Sequence, residues 1–123
     1  MTKGAYVDGF VISIPQKNTS KYKKIASEAK LVWTKFGALD YKECMIEDSK
    51  PKFVTFTFAK MAKTKPTETV WFSFIVYKSR KHRDAVNKKV MAYFEKKYGK
   101  NMMSMPFDMK RFAFGGFKVM VGV

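Results

Sequence analysis

Cysteine and histidine are nearly missing from this chain of 123 residues: Cys44 and His82 stand alone. A lone thiol excludes an internal disulfide, and one His with one Cys cannot complete a structural zinc site. Glu47 and Asp48 are adjacent and would point to opposite sides of a strand, so no metal is expected. Nucleophile motifs are absent too. There is no G-x-S-x-G elbow, and the acid beside Cys44, Glu43, does not activate a thiol as a cation would. No glycine-rich phosphate loop occurs, because Gly115-Gly116 precedes no helix. The apolar runs are too short to span a bilayer, and nothing resembles a secretory leader. A reducing, cytoplasmic location is therefore expected, with no membrane as partner.

Arginine is also scarce. Of 25 basic residues only Arg80, Arg83 and Arg111 are arginine, and the net charge is +15. Lysine is the poorer fork for phosphates and base edges, so the charge reads as a solvated basic surface, and nucleic acid is the disfavoured partner. RNA-recognition domains share the strand and helix order derived below. Their signature strand needs a small residue and an aromatic where GFKVMV (116–121) has Lys118 and Val119, and KFVTFTF (52–58) lacks the glycine.

What the chain has in quantity is apolar surface: 46% hydrophobic residues, 16% aromatic and twelve phenylalanines, enough for a dense core or a subunit interface. One domain over residues 1–123 is expected, without repeat or linker. Residues 5–14 read as a strand apolar on both faces, closed by Pro15. Residues 19–36 read as a helix with a stripe of Tyr22, Ile25, Ala26, Ala29, Val32, Trp33 and Phe36, with Asn18, Thr19 or Ser20 as N-cap and Gly37 at its end. Residues 38–47 alternate as a strand, 52–58 suggest a peripheral extra strand, and 60–69 a polar loop. VWFSFIVY (70–77) is the strongest strand signal. A second helix should follow over 80–98, capped by Ser79 and stopped by Gly99, with Ala85, Val86, Val90, Tyr93 and Phe94 inward. After a loop over 100–110, residues 111–121 form a last strand, where Gly115-Gly116 suggests a bulge or a close approach.

This order is α+β: a ferredoxin-like βαββαβ fold with an extra strand. Its helices cover one sheet face only, yet both faces are apolar. A second copy of the sheet is the economical cover, which predicts a homodimer.

YVDGF (6–10), GALDYKEC (37–44), YKSRKHRDAVNKKVM (77–91), MPFDMKR (105–111) and GGFKVMV (115–121) together resemble the bacterial YbaA-like family, known as domain of unknown function 1428. The resemblance implies the dimeric α/β-barrel superfamily, in which two ferredoxin-like subunits pack sheet against sheet. That superfamily holds cofactor-free and haem-degrading monooxygenases, lactone isomerases and stress-response modules, so the fold does not select a chemistry.

Three readings of function follow. The first is a protein that binds an apolar or aromatic small molecule between sheet and helices, needing no cofactor. Asp8, Tyr41, Glu43, Arg83 and Arg111 supply polar groups, and Trp71 part of the wall. The second is a cofactor-free or haem-degrading monooxygenase-like enzyme in which His82 is the acid/base residue. Haem-degrading members place a polar residue, a Trp and a His on elements like those of Asp8, Trp71 and His82, and the eleven-residue spacing of the last two allows proximity. Asp8 departs from the amide expected there, because an ionised carboxylate cannot donate. The third is non-specific nucleic-acid binding through basic helix faces, which salt would abolish. His82 itself reads first as a hydrogen-bonded residue at a helix start.

Overall fold

A computed structural model describes residues 5–99 and 105–123. The strands are β1 (Tyr6–Pro15), β2 (Asp40–Met45), β3 (Glu68–Tyr77) and β4 (Ala113–Lys118); the helices are α1 (Thr19–Lys35), α2 (Phe58–Met61) and α3 (Arg80–Tyr98). The strands form one antiparallel sheet in the order β2-β3-β1-β4. Each long helix thus links two strands separated by a third, which is the ferredoxin-like arrangement.

Alternation along the strands divides the sheet into two unlike faces. The covered face carries Asp8, Phe10, Ile12 and Ile14 of β1, opposite Ile75, Ser73, Trp71 and Thr69 of β3. Under α1 and α3 it supports two apolar clusters. One joins Ile12, Ile14, Tyr22, Ala26, Trp71 and Phe107; the other joins Val32, Ile75, Tyr77, Val86 and Val90. The open face carries Val7, Gly9 and Val11, with Phe72, Phe74 and Phe117 beside them. Phe72 is 45% exposed and Phe117 60% exposed.

Segment 52–58 is not the extra strand its β-branched and aromatic residues suggest. Phe53 takes a left-handed conformation (φ 69°), incompatible with a continuing strand. The Thr57 hydroxyl accepts from the Lys60 amide at 3.3 Å and starts α2 instead. The turn after α2 then reaches one end of the open face, where Thr64 bonds Ser13 at 2.8 Å, and both Ser13 and Val70 are buried.

Other local expectations shift for identifiable reasons. Asn18 caps nothing; its amide donates to the Pro106 carbonyl at 2.9 Å and ties the start of α1 to the segment before β4. Ala85 is exposed, and Asn87 turns inward to accept from Trp33 Nε1 at 3.0 Å. No bulge interrupts β4, because Gly115 and Gly116 pair in unbroken register with Gly9 and Asp8. They answer to close approach: a side chain on Gly116 would come within 2.8 Å of Tyr6 Cε2, and the Phe117 ring lies over Gly9 and Gly115. As expected, the Ser79 hydroxyl caps α3 by accepting from the His82 amide at 3.1 Å, and Gly37 ends α1 with φ 115°. Residues 100–104 of the expected loop lie outside the described residues.

Candidate functional site

The predicted site residues fall into four separate places. Tyr41, Glu43 and Trp71 come together. On β2, alternation turns Tyr41 and Glu43 toward α1, opposite Ile75 and Ser73 of β3. Glu43 Oε1 accepts from the Tyr22 hydroxyl at 2.8 Å and from the Ser73 hydroxyl, while Oε2 accepts from the Tyr41 hydroxyl at 2.6 Å. No cation pairs with Glu43 among the described residues. A carboxylate offers about four acceptor positions, so one on Oε2 has no partner among the described residues. Burial, and after it the Glu43 charge, pushes the phenols of Tyr22 and Tyr41 well above their ordinary values, which keeps both hydroxyls protonated as donors.

Glu43 lies in the wall between two spaces. Toward solvent is a cleft of about 460 Å³ lined by Lys23, Ala26, Lys30, Tyr41, Met45 and Trp71. Beneath it is a smaller, strongly apolar cavity of about 160 Å³ between the sheet and α1, bounded by Phe10, Ile12, Ala29, Trp33 and Phe112. Trp71 is 5% exposed and packs edge-on against Tyr22 with ring centroids 5.1 Å apart. Its Nε1 is buried and finds no acceptor among the described residues. Leaving such a donor unpaired costs about 1–3 kcal/mol.

Asp8 and Arg83 form a second, closed group. Arg83 Nη1 donates to Asp8 Oδ1 at 2.7 Å, and its Nε donates to Asp84 at 2.8 Å. Tyr77 donates to Asn87 Oδ1 at 3.2 Å beside them, and the Arg83 guanidinium stacks 5.0 Å from the Tyr6 ring. Asp8 is 1% exposed. Burial raises its pKa above the ordinary value, with Arg83 pulling it back. Neither residue lines the cleft or the cavity. Arg111 is occupied elsewhere: both Nη atoms lie 2.7 Å from Glu68, Nε is 3.1 Å from Asp108, and Nη1 also donates to the Lys63 carbonyl. It clamps the β3 and β4 approaches together.

His82 sits at the start of α3 with its ring edge-on to Tyr77 at 6.0 Å. Its Nδ1 accepts from the Lys78 amide at 3.0 Å, and Nε2 lies 3.3 Å from where a side chain on Gly37 would begin. Trp71 is six residues from Tyr77 along β3, about 20 Å at about 3.3 Å per residue. The eleven-residue spacing therefore does not bring Trp71 and His82 together. Trp71 and His82, two of the residues that a haem-degrading site would use, thus lie far apart along the sheet.

Tyr22, Ser73, Lys23 and Lys30 join the site without being singled out by the sequence. Ser73 carries a legible signal, since it interrupts the inward series Trp71, Ile75, Tyr77 with a hydroxyl. Tyr22 reads only as the first residue of the α1 stripe, because nothing local announces that its hydroxyl meets Glu43.

The family described as "Protein of unknown function (DUF1428)" matches residues 5–109. "Uncharacterized protein YbaA" of Escherichia coli K12 is 39% identical over 117 residues, covering 94% of this chain and 97% of its own; YbaA of Shigella flexneri gives the same values. Among solved structures, a dimeric ferredoxin-like protein from an uncultured marine organism superposes with a TM-score of 0.57 at 15% identity, over 98% of this chain and all of the other. At that identity the likeness speaks to fold alone. The match over residues 5–109 and the 39% identity across nearly the whole chain make this protein a member of the DUF1428 family.

Proposed function

We propose that this protein binds a small aromatic molecule in the cleft between α1 and the β2–β3 edge, with Glu43 as its polar anchor. The reading rests on one observation: a carboxylate that, among the described residues, is held by three hydroxyls and no cation, in a cleft that Trp71 also lines. Three hydroxyl donors fix the carboxylate and leave one acceptor position for a ligand O–H or N–H. Apolar walls with a few fixed polar groups are the usual make-up of ligand sites.

The binding unit is a homodimer with facing sheets, in a reducing, cytoplasmic setting. Val7, Val11, Phe72, Phe74 and Phe117 give the open face the apolar character of a subunit interface, and a fold relative is described as dimeric. Asp8, Arg83 and Arg111 serve the framework in this reading, and His82 holds the α1–α3 corner without taking part in chemistry.

The test is a titration with phenol, the smallest aromatic hydrogen-bond donor, read by intrinsic tryptophan fluorescence. Saturable quenching is expected, with most of it lost in Trp71→Phe and binding weakened about tenfold in Glu43→Gln, the value of roughly one hydrogen bond to a charged acceptor. Quenching that is linear in phenol and the same in all three proteins would overturn the reading.

A further inference from the structure

Resting on that reading, we infer that the cleft selects an aromatic acid: a ring with a hydroxyl or amino donor at one pole and a carboxylate at the other. The inner pole is Glu43. The outer pole is a pair of ammonium groups on α1. Thr19, Lys23, Ala26, Ser27 and Lys30 follow one another at helical steps and form a single wall of the cleft. Lys23 and Lys30 are seven residues apart, so their stems leave the helix about 10 Å from each other and bracket the mouth. Neither forms an ion pair among the described residues, while Lys42 across the cleft is already paired with Asp40 at 2.5 Å. A shallow depression lined by Ser20, Lys23, Lys24 and Ser27 continues this basic rim along the same helix.

The apolar part of the lining is Ala26, Met45 and Trp71, which suits a ring, and the lining's one carboxylate is Glu43. The polarity of the ligand is therefore ordered. An anion placed inside would meet the Glu43 carboxylate, so the acid faces the lysines and the donor faces inward. A ligand lacking the donor leaves Glu43 one partner short. A ligand lacking the acid leaves the ammonium pair to water, at little loss in high salt.

Calorimetric titration with 4-hydroxybenzoate, benzoate and phenol tests this. The expected result is that 4-hydroxybenzoate binds about tenfold more tightly than either of the others, the order of one charge-assisted contact at each pole. Glu43→Gln should erase the preference over benzoate. Lys23→Met with Lys30→Met, both on the exposed side of α1, should erase the preference over phenol, and added salt should do the same in the wild type. Equal binding of phenol and 4-hydroxybenzoate would overturn the two-pole inference and leave the aromatic cleft standing. Failure of all three to bind the wild type would overturn both.

Discussion

Arg83 of α3 reaches back 75 residues to Asp8 of β1 and sets its Nη1 2.7 Å from the carboxylate. Neither residue lines the cleft, so the pair is expected to act on stability and not on ligand binding. Asp8→Ala would leave Arg83 with only its exposed neighbour Asp84, and the loss should be about 3 kcal/mol, read as a lower denaturant midpoint. The pH dependence has a definite sign. Burial lifts the Asp8 pKa above 3.8, so between that value and the raised one the folded protein holds a proton that the unfolded chain has released. Stability conferred by this group falls as pH rises through that window and is level above it. Asp8→Asn should abolish that descent, and equilibrium unfolding across the acid range would reveal it.

Tyr41 and Tyr22 share the charge of Glu43, and this makes their phenols reporters of the site. In Glu43→Gln the raising effect of the carboxylate is gone while burial remains. Both phenols should ionise at lower pH than in the wild type, though still above a free tyrosine. Ultraviolet titration of tyrosinate checks this; an unchanged late-titrating class would mean that the carboxylate does not face these hydroxyls.

Gly116→Ala tests a different close approach. The new methyl would press on the Tyr6 ring, which is itself stacked on Arg83, so neither ring nor guanidinium can yield freely. A loss of about 1–3 kcal/mol is expected from such overpacking. Gly99→Ala offers a contrast, since no described residue lies within 4 Å there and its φ of 79° opposes a side chain.

The open sheet face predicts assembly. Phe72→Glu and Phe117→Glu each place a charge on a surface that is exposed in one subunit and apolar across β1, β3 and β4. The wild type should sediment as a dimer and each variant as a folded monomer. Equal masses for all three would remove the facing-sheet arrangement.

The alternation and helical stripes of this sequence carry most of its fold, because Ile12, Ile14, Trp71, Val86 and Val90 face inward where their periods place them. Segment 52–58 misleads, since its strand-forming residues pair with no strand and run through turns, with Phe53 left-handed, until Thr57 caps α2 at Phe58. The site was half legible. Tyr41 and Glu43 share a strand face and Trp71 lies on its neighbour, so their meeting follows from register. The hydroxyls of Tyr22 and Ser73 on the same carboxylate depend on how α1 lies across the sheet, which no local pattern encodes. Spacing likewise allows Trp71 and His82 to meet, while the extended length of β3 keeps them apart.

The two tryptophans allow the most direct measurement of the proposed site. Trp33 Nε1 is bonded to Asn87 at 3.0 Å, whereas Trp71 Nε1 has no acceptor among the described residues. A proton–nitrogen correlation spectrum should therefore show two indole signals in different surroundings. On addition of 4-hydroxybenzoate the Trp71 signal should shift progressively to saturation, with the Trp33 signal nearly still, and Glu43→Gln should need more ligand for the same shift. A Trp71 signal that stays in place while ligand is added would contradict a binding site at Glu43.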